Sequence, residues 1–164
     1  MVGAMALSIR PAVAADADLI FSFIRELAEY ERLAHEAVAA RDDIARALFG
    51  PAPKVFCDIA EQDGEPVGFA LWFYNFSTFQ GRAGLYLEDL YVRPSARRMG
   101  VGGALLQHLA QRCVTEGLGR LCWSVLDWNG PAIEFYQGLG ARLTEDWVGC
   151  RLEGAALVNL GTQS

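Results

Sequence analysis

The stretch Arg93-Pro94-Ser95-Ala96-Arg97-Arg98-Met99-Gly100-Val101-Gly102-Gly103 lies between a strand-like run, Leu85 to Val92, and a helical pattern from Gly103 to Glu116. That pattern carries Leu105, Leu106, Leu109, Ala110 and Cys113 on one face and stops at Gly117. A strand, a glycine-rich turn and a helix in succession bring unpaired backbone N–H groups and the positive end of a helix dipole to one point. Gly100, Gly102 and Gly103 allow a tight turn that leaves those donors uncovered, and Arg97 and Arg98 add positive charge. The segment reads as an anion site suited to phosphate or pyrophosphate, or else as a glycine-rich connector with solvated arginines. A dinucleotide fingerprint needs glycine where Leu105 stands. A P-loop needs Gly-Lys-Ser/Thr, and the single lysine, Lys54, follows Pro51-Ala52-Pro53 and has neither neighbour.

Working outward, Ser8 to Ala12 reads as a strand. Asp16 offers a carboxylate N-cap to a helix whose apolar residues Leu19, Ile20, Phe23, Ile24 and Leu27 recur at helical spacing. This helix ends in the polar run Glu26, Glu29, Tyr30, Glu31, and a shorter one, from about Asp42 to Phe49, is stopped by Gly50 and Pro51. Val55 to Glu61, a turn at Asp63-Gly64, Val67 to Asn75, a loop through Gly81 and Gly84, and Leu85 to Val92 read as antiparallel strands. After the Gly103 helix come a strand from Arg120 to Leu126, a helix from about Pro131 to Leu139, and strands near Ala141 to Thr144 and Val148 to Glu153. The order describes an α/β domain of α+β character, with helices flanking a mixed, largely antiparallel sheet, and residues 1–164 read as a single domain.

Composition narrows the function. With 14 Lys+Arg against 20 Asp+Glu, the net charge of -6 argues against non-specific nucleic-acid binding and leaves small cations as natural partners. Cys57, Cys113, Cys122 and Cys150 form no CxxC pair and have only His35 and His108 to join them, so no metal site is expected and the cysteines read as small buried thiols in a reducing cytosol. The opening Met1-Val2-Gly3-Ala4-Met5 lacks the basic residue of a signal peptide and reads as leading into the first strand. The longest dense apolar stretch, Gly68 to Phe76, is too short for a membrane helix, so a cytoplasmic protein without a membrane partner is expected.

Arg97-x-x-Gly100-x-Gly102, placed after Leu87-Glu88-Asp89-Leu90-Tyr91-Val92, resembles the pyrophosphate motif Gln/Arg-x-x-Gly-x-Gly/Ala of the GNAT superfamily of acyl-CoA-dependent N-acetyltransferases. Downstream, Asn129-Gly130-Pro131-Ala132-Ile133-Glu134-Phe135-Tyr136 with Gly140-Ala141 resembles that superfamily's second signature. Leu27-Ala28-Glu29-Tyr30-Glu31, Leu85 to Val92 and Trp128-Asn129-x-Pro131 are similar to the diamine (spermidine/spermine) acetyltransferases and their thialysine-acetylating relatives, over about Ile9 to Leu152. The resemblance implies a sheet splayed near its middle, with acetyl-CoA as co-substrate in the cleft. It implies that Arg97, Arg98, Met99, Gly100, Val101, Gly102 and Gly103 hold the pyrophosphate, that the backbone of Leu90, Tyr91 and Val92 pairs with the pantetheine arm, and that Asn129, Pro131 and Ala132 adjoin the cofactor. By the same resemblance Tyr136 is the catalytic tyrosine, Glu88 draws a proton from the amine, and Tyr30, Glu31 and Glu88 hold the amine.

The chemistry needs a held thioester, a neutral amine and a proton for the departing thiolate. An amine of pKa near 10.4 is about one part in a thousand neutral at pH 7.4, so a carboxylate must help it lose a proton. A phenol can protonate a thiolate, and the ordinary alternative for Tyr136 is a core aromatic beside Phe135. Asn129 can act as a helix cap alone. One position departs from the diamine family: Val148 aligns with an acidic residue of the polyamine site. A thialysine-like amino acid or another small primary amine is therefore at least as well supported as spermidine or spermine. The expected reaction is direct attack in a ternary complex, the alternatives being protein or peptide N-acetylation, or acyl-CoA binding without turnover. Apolar content around Gly68 to Phe76 and the family habit suggest a homodimer.

Overall fold

The computed structural model describes residues 6–163; residues 1–5, where the lead into the first strand was read, lie outside them. The chain divides into two compact units, Met1–Ser124 and Val125–Ser164.

In the first unit, β1 (Leu7–Pro11), β2 (Phe56–Gln62), β3 (Glu65–Ser77), β4 (Arg82–Val92) and β5 (Leu121–Trp123) form one sheet in that order, with α1 (Ala17–Tyr30), α2 (Arg41–Phe49) and α3 (Val101–Glu116) completing the unit. The first four strands pair antiparallel, while β5 runs parallel to β4. The hairpin from β2 to β3 turns at Asp63 and Gly64, whose φ angles of 52° and 83° are the left-handed pair that a two-residue turn demands. Helix α1 presents Ile20, Phe23 and Leu27 to Ile59, Phe69, Leu71 and Tyr91 of the sheet, and Phe23 stacks on Phe69 with ring centres 5.2 Å apart. Burial of these side chains, at about 25 cal/mol per Å², fixes which face of the sheet α1 covers.

Several local readings are corrected. Asp16 stands just before α1 but does not cap it: its carboxylate accepts from the Val13 N–H at 2.8 Å and from two Arg10 nitrogens at 2.8 and 3.0 Å. Arg10 foremost holds that carboxyl below its ordinary range. The stretch Gly68 to Phe76 is mostly core, with Phe69 to Trp72 buried and only Tyr74 and Phe76 exposed, so it supplies less outward apolar surface than its composition suggests. Of the cysteines, Cys57 and Cys113 are buried, but Cys150 is exposed.

The second unit contains α4 (Gly130–Gly138) and α5 (Gly154–Gly161). The strands expected near Ala141 to Thr144 and Val148 to Glu153 are absent, and Leu121–Trp123 is all that forms of the expected Arg120 to Leu126 strand. Apolar residues at alternate positions make a strand only when a neighbouring edge takes up the backbone groups. Residues 142–153 are exposed and pair with no strand among the described residues.

Candidate active site

The sheet opens beside β4. Strand β5 pairs with β4 only through Leu85, Tyr86 and Leu87, so from Glu88 to Val92 the outer edge of β4 has no strand beside it among the described residues. The inner edge stays paired, with Leu71 opposite Asp89, Ala70 opposite Leu90, Phe69 opposite Tyr91 and Gly68 opposite Val92. This is the splay expected from the sequence, and it leaves the outward backbone groups of Leu90 and Val92 without a strand partner, at an edge that an extended ligand can join; the Tyr91 groups turn inward to β3, and the Val92 carbonyl accepts from Arg97.

A bulge sits where the sheet opens. Trp72 faces Leu87 and Leu71 faces Asp89, so Glu88 is the extra residue in β4. The bulge leaves Glu88 exposed and returns Asp89 to a half-buried position in register with the core residue Leu71. Burial first, and then the charges of Glu88 and Glu31, push the Asp89 carboxyl up to about 7. Glu31, the half-buried residue that ends α1, is itself raised by burial. Glu31 and Glu88 thus both act on Asp89, where α1 ends beside the opened strand. The adjacency of Asp89 to Glu88 is visible in the sequence, but the bulge that gives the two different environments is not.

The end of α1 is held by two arginines. Arg93 donates to both Glu26 oxygens, at 3.0 and 3.2 Å, and its guanidinium carbon lies 4.7 Å from the centre of the Phe23 ring. Arg97 lies 4.7 Å over Tyr30 and 5.5 Å over Tyr91, and its Nε donates to the Val92 carbonyl at 2.8 Å.

The glycine-rich segment forms the expected turn into a helix, two residues earlier than the periodicity indicated. Gly100, at φ 81°, is the residue before α3, and Val101, Gly102 and Gly103 make the first turn. That turn has no acidic residue and no side-chain cap, which leaves its backbone donors available to an anion. A Cβ at Gly100 would meet nothing within 4 Å, and one at Gly102 only Val92 Cγ2 at 3.9 Å, so the approach to these amides is clear. Arg98 holds a left-handed backbone at φ 63° and is exposed, as is Met99. This donor set fits a pyrophosphate.

In the second unit, Asn129 precedes α4 and its Oδ1 accepts from the Ala132 N–H at 3.4 Å, the capping role anticipated as its ordinary one. Pro131 occupies the first turn, where its missing N–H costs nothing. Tyr136 is half-buried on α4, its ring 5.5 Å from that of Phe135, and Val148 is 88% exposed.

The pattern of the acetyltransferase (GNAT) family matches residues 19–141. The chain belongs to that family. Over 163 aligned residues it is 38% identical to the thialysine N-epsilon-acetyltransferase of Bos taurus, covering 93% of this chain and 95% of the relative. It is 32% identical to the L-ornithine N5-acetyltransferase NATA1 of Arabidopsis thaliana, covering 91% and 85%. Among solved structures, an integron cassette protein from the mobile metagenome of V. cholerae superposes with a TM-score of 0.81 at 30% identity, covering 98% of this chain and all of that one. The protein is therefore a GNAT N-acetyltransferase with the mixed, mostly antiparallel sheet of its structural neighbours, and acetyl-CoA is the co-substrate of its family. No helix among the described residues is long and apolar enough to cross a membrane, and no three His, Cys, Asp or Glu among them are grouped to hold a metal.

Proposed function

We propose that this chain acetylates the side-chain amine of a small cationic amino acid, of the thialysine or ornithine kind, by direct attack in a ternary complex. The observation that carries the reading is the carboxylate group Glu31, Glu88 and Asp89 at the opening of the sheet. Three acids there attract an ammonium ion, and the names of the 38% and 32% identical relatives support an amino-acid substrate.

The amides of the first turn of α3 and the edge of β4 are the parts suited to hold acetyl-CoA, whose contribution when bound is an activated thioester. The ammonium gives one proton to the carboxylate group. Glu88 receives it directly or through water, and Asp89 is the better-matched final acceptor. Transfer from an amine of pKa near 10.4 to an ordinary carboxylate at about 3.9 is uphill by about 9 kcal/mol, and to a carboxyl at about 7 by about 5. The neutral nitrogen then bonds to the acetyl carbon as the C–S bond breaks. Its second proton is lost to solvent, while the Tyr136 phenol protonates the leaving thiolate and is reprotonated in turn. Residues 1–164 act as one domain in this reading, supported by a family match that spans both compact units. A homodimer is part of the proposal, supported by the exposed Phe76 and Phe79, and a cytoplasmic location is proposed with it.

The test is thiol release from acetyl-CoA with thialysine, ornithine, lysine, putrescine, spermidine, spermine and a short peptide. Thialysine or ornithine should lead. Preference for spermine would contradict the amino-acid reading, and preference for the peptide would favour protein acetylation. Tight CoA binding with no thiol release from any amine would reduce the protein to a binding module.

A further inference from the structure

Away from the opened edge of β4, the sheet carries a cavity of about 220 Å³ at the corner where β1 ends, and it shares none of its lining with the residues assigned to acetyl transfer. Its walls are aromatic. Phe56 stacks on Trp72 with ring centres 4.8 Å apart, and Tyr74 meets Trp72 edge-on at 5.2 Å. Two charged side chains also line it, Asp58 and Arg112. Asp58 is only 2% exposed and accepts the Trp72 indole N–H at 2.8 Å. His108 Nε2 stands 3.5 Å from the other Asp58 oxygen, too far for a good hydrogen bond, and has no hydrogen-bond partner among the described residues. Arg112 lies 4.8 Å over Trp72, donates from Nη1 to Glu116 at 2.9 Å, and has a buried Nε without a partner among the described residues. Glu116 in turn accepts from the Tyr74 hydroxyl at 2.7 Å.

Buried polar nitrogens are ordinarily satisfied, and the Arg112 Nε without a partner among the described residues, on a side chain that lines the cavity, indicates a polar demand that the protein itself does not meet. The aromatic walls favour a flat ring. Arg112 offers donors to an acceptor, while the carboxylates of Asp58 and Glu116 repel an anion and favour a donor. The volume suits a ring with one small substituent. We propose that this cavity is a binding site for a small, uncharged, planar carboxamide or lactam, whose carbonyl meets Arg112 and whose N–H group faces Asp58.

Benzamide and benzoate, which share a shape and differ in charge, test it on the full chain. The readout is the Trp72 indole N–H in a ¹⁵N correlation spectrum, assigned by its disappearance in Trp72→Phe. Benzamide should shift that signal saturably with a Kd of about 1 mM or below, within the affinity open to nine heavy atoms. Benzoate should bind at least about tenfold more weakly, by the loss of the N–H donated to the Asp58 carboxylate and the added repulsion. Arg112→Met, which keeps the packing stem, should weaken benzamide about tenfold. Glu116→Gln, which neutralises the partner of Tyr74 and Arg112 but leaves Asp58, should narrow the gap between benzoate and benzamide without closing it, and it keeps the test open if Arg112→Met does not fold. No saturable shift at 20-fold the expected Kd would mean that the cavity holds water only. Equal binding of the two probes in the unsubstituted protein, or an unchanged benzamide affinity in a folded Arg112→Met, would equally overturn the proposal. Acetyl-transfer activity enters none of these measurements, so their failure leaves the amine reading untouched.

Discussion

Arg97 spans from Tyr30 to the edge strand: its guanidinium carbon lies 4.7 Å from the centre of the Tyr30 ring while its Nε donates to the Val92 carbonyl at 2.8 Å. The same side chain therefore touches the end of α1, where the amine is proposed to bind, and the β4 edge proposed for the pantetheine arm. Arg97→Met keeps the stem but loses both interactions. A stacked cation at a half-exposed site contributes about 0.5–1 kcal/mol and a hydrogen bond about 1 kcal/mol. The KM for the amine should rise about two- to fivefold and that for acetyl-CoA about fivefold, with kcat changed less than twofold. Steady-state kinetics varying each substrate separately will check this; a change in only one KM would detach Arg97 from the other site.

Asp89 gives the pH dependence. Its carboxyl is pushed up to about 7, above its unfolded value of about 3.9, so the folded state binds the proton more tightly than the unfolded state does. The stability this contributes is fully present below about pH 4 and is lost as pH rises through 7. Asp89→Asn should therefore stabilise the fold more at pH 8 than at pH 5, by a difference of about 1–3 kcal/mol that thermal melting at the two pH values will check. It should also remove the rise in kcat/KM near pH 7 and lower kcat/KM at pH 8 about a hundredfold. A retained limb near pH 7 would transfer the acceptor role to another group.

How much of this was legible in the sequence depends on the range of the interaction involved. Helix α1 and the Asp63-Gly64 turn are written locally, the first in the spacing of Ile20, Phe23 and Leu27, the second in two residues that tolerate left-handed backbone. The glycine turn at Gly100 is equally local. Asp89 was hidden because its environment comes from a register shift against Leu71 and Trp72, and no pattern within β4 announces a bulge. The absent strands of residues 141–153 failed for the same reason: alternation supplies a face, but the edge to pair with belongs to another segment.

Tyr136→Phe keeps the ring that lies 5.5 Å from Phe135 and removes only the hydroxyl. If that hydroxyl protonates the thiolate, kcat should fall about a hundredfold, the usual contribution of a positioned acid, with acetyl-CoA affinity unchanged. Isothermal titration beside the kinetics separates the two. Full turnover in the variant would remove the role.

Gly68 faces Val92 across the strand pair, and a Cβ there would stand 2.6 Å from the Tyr91 carbonyl oxygen and 3.3 Å from Val92 Cα. Both neighbours are backbone, so β4 itself must move. Gly68→Ala should cost about 1–3 kcal/mol in stability and weaken acetyl-CoA binding, because the displaced residues are those proposed to pair with the pantetheine arm. Thermal melting and CoA titration on one preparation give both quantities; a destabilised variant with unaltered CoA affinity would place the arm elsewhere.

Arg98 supplies the last test, because its backbone and its charge make opposite demands. At φ 63° a non-glycine residue costs about 1–2 kcal/mol, and glycine at the same place returns most of this while adding up to about 1 kcal/mol of unfolded-state entropy. Arg98→Gly should therefore stabilise the fold by about 0.5–1 kcal/mol. The same substitution removes a positive charge two residues before Gly100, beside the first turn of α3, and should weaken acetyl-CoA binding about two- to fivefold at low salt. Because the charge is exposed, that penalty should shrink as ionic strength rises from about 0.01 to 0.5 M. A gain in stability with no salt-dependent loss of affinity would mean that Arg98 contributes strain but no attraction, and that the backbone amides alone hold the pyrophosphate.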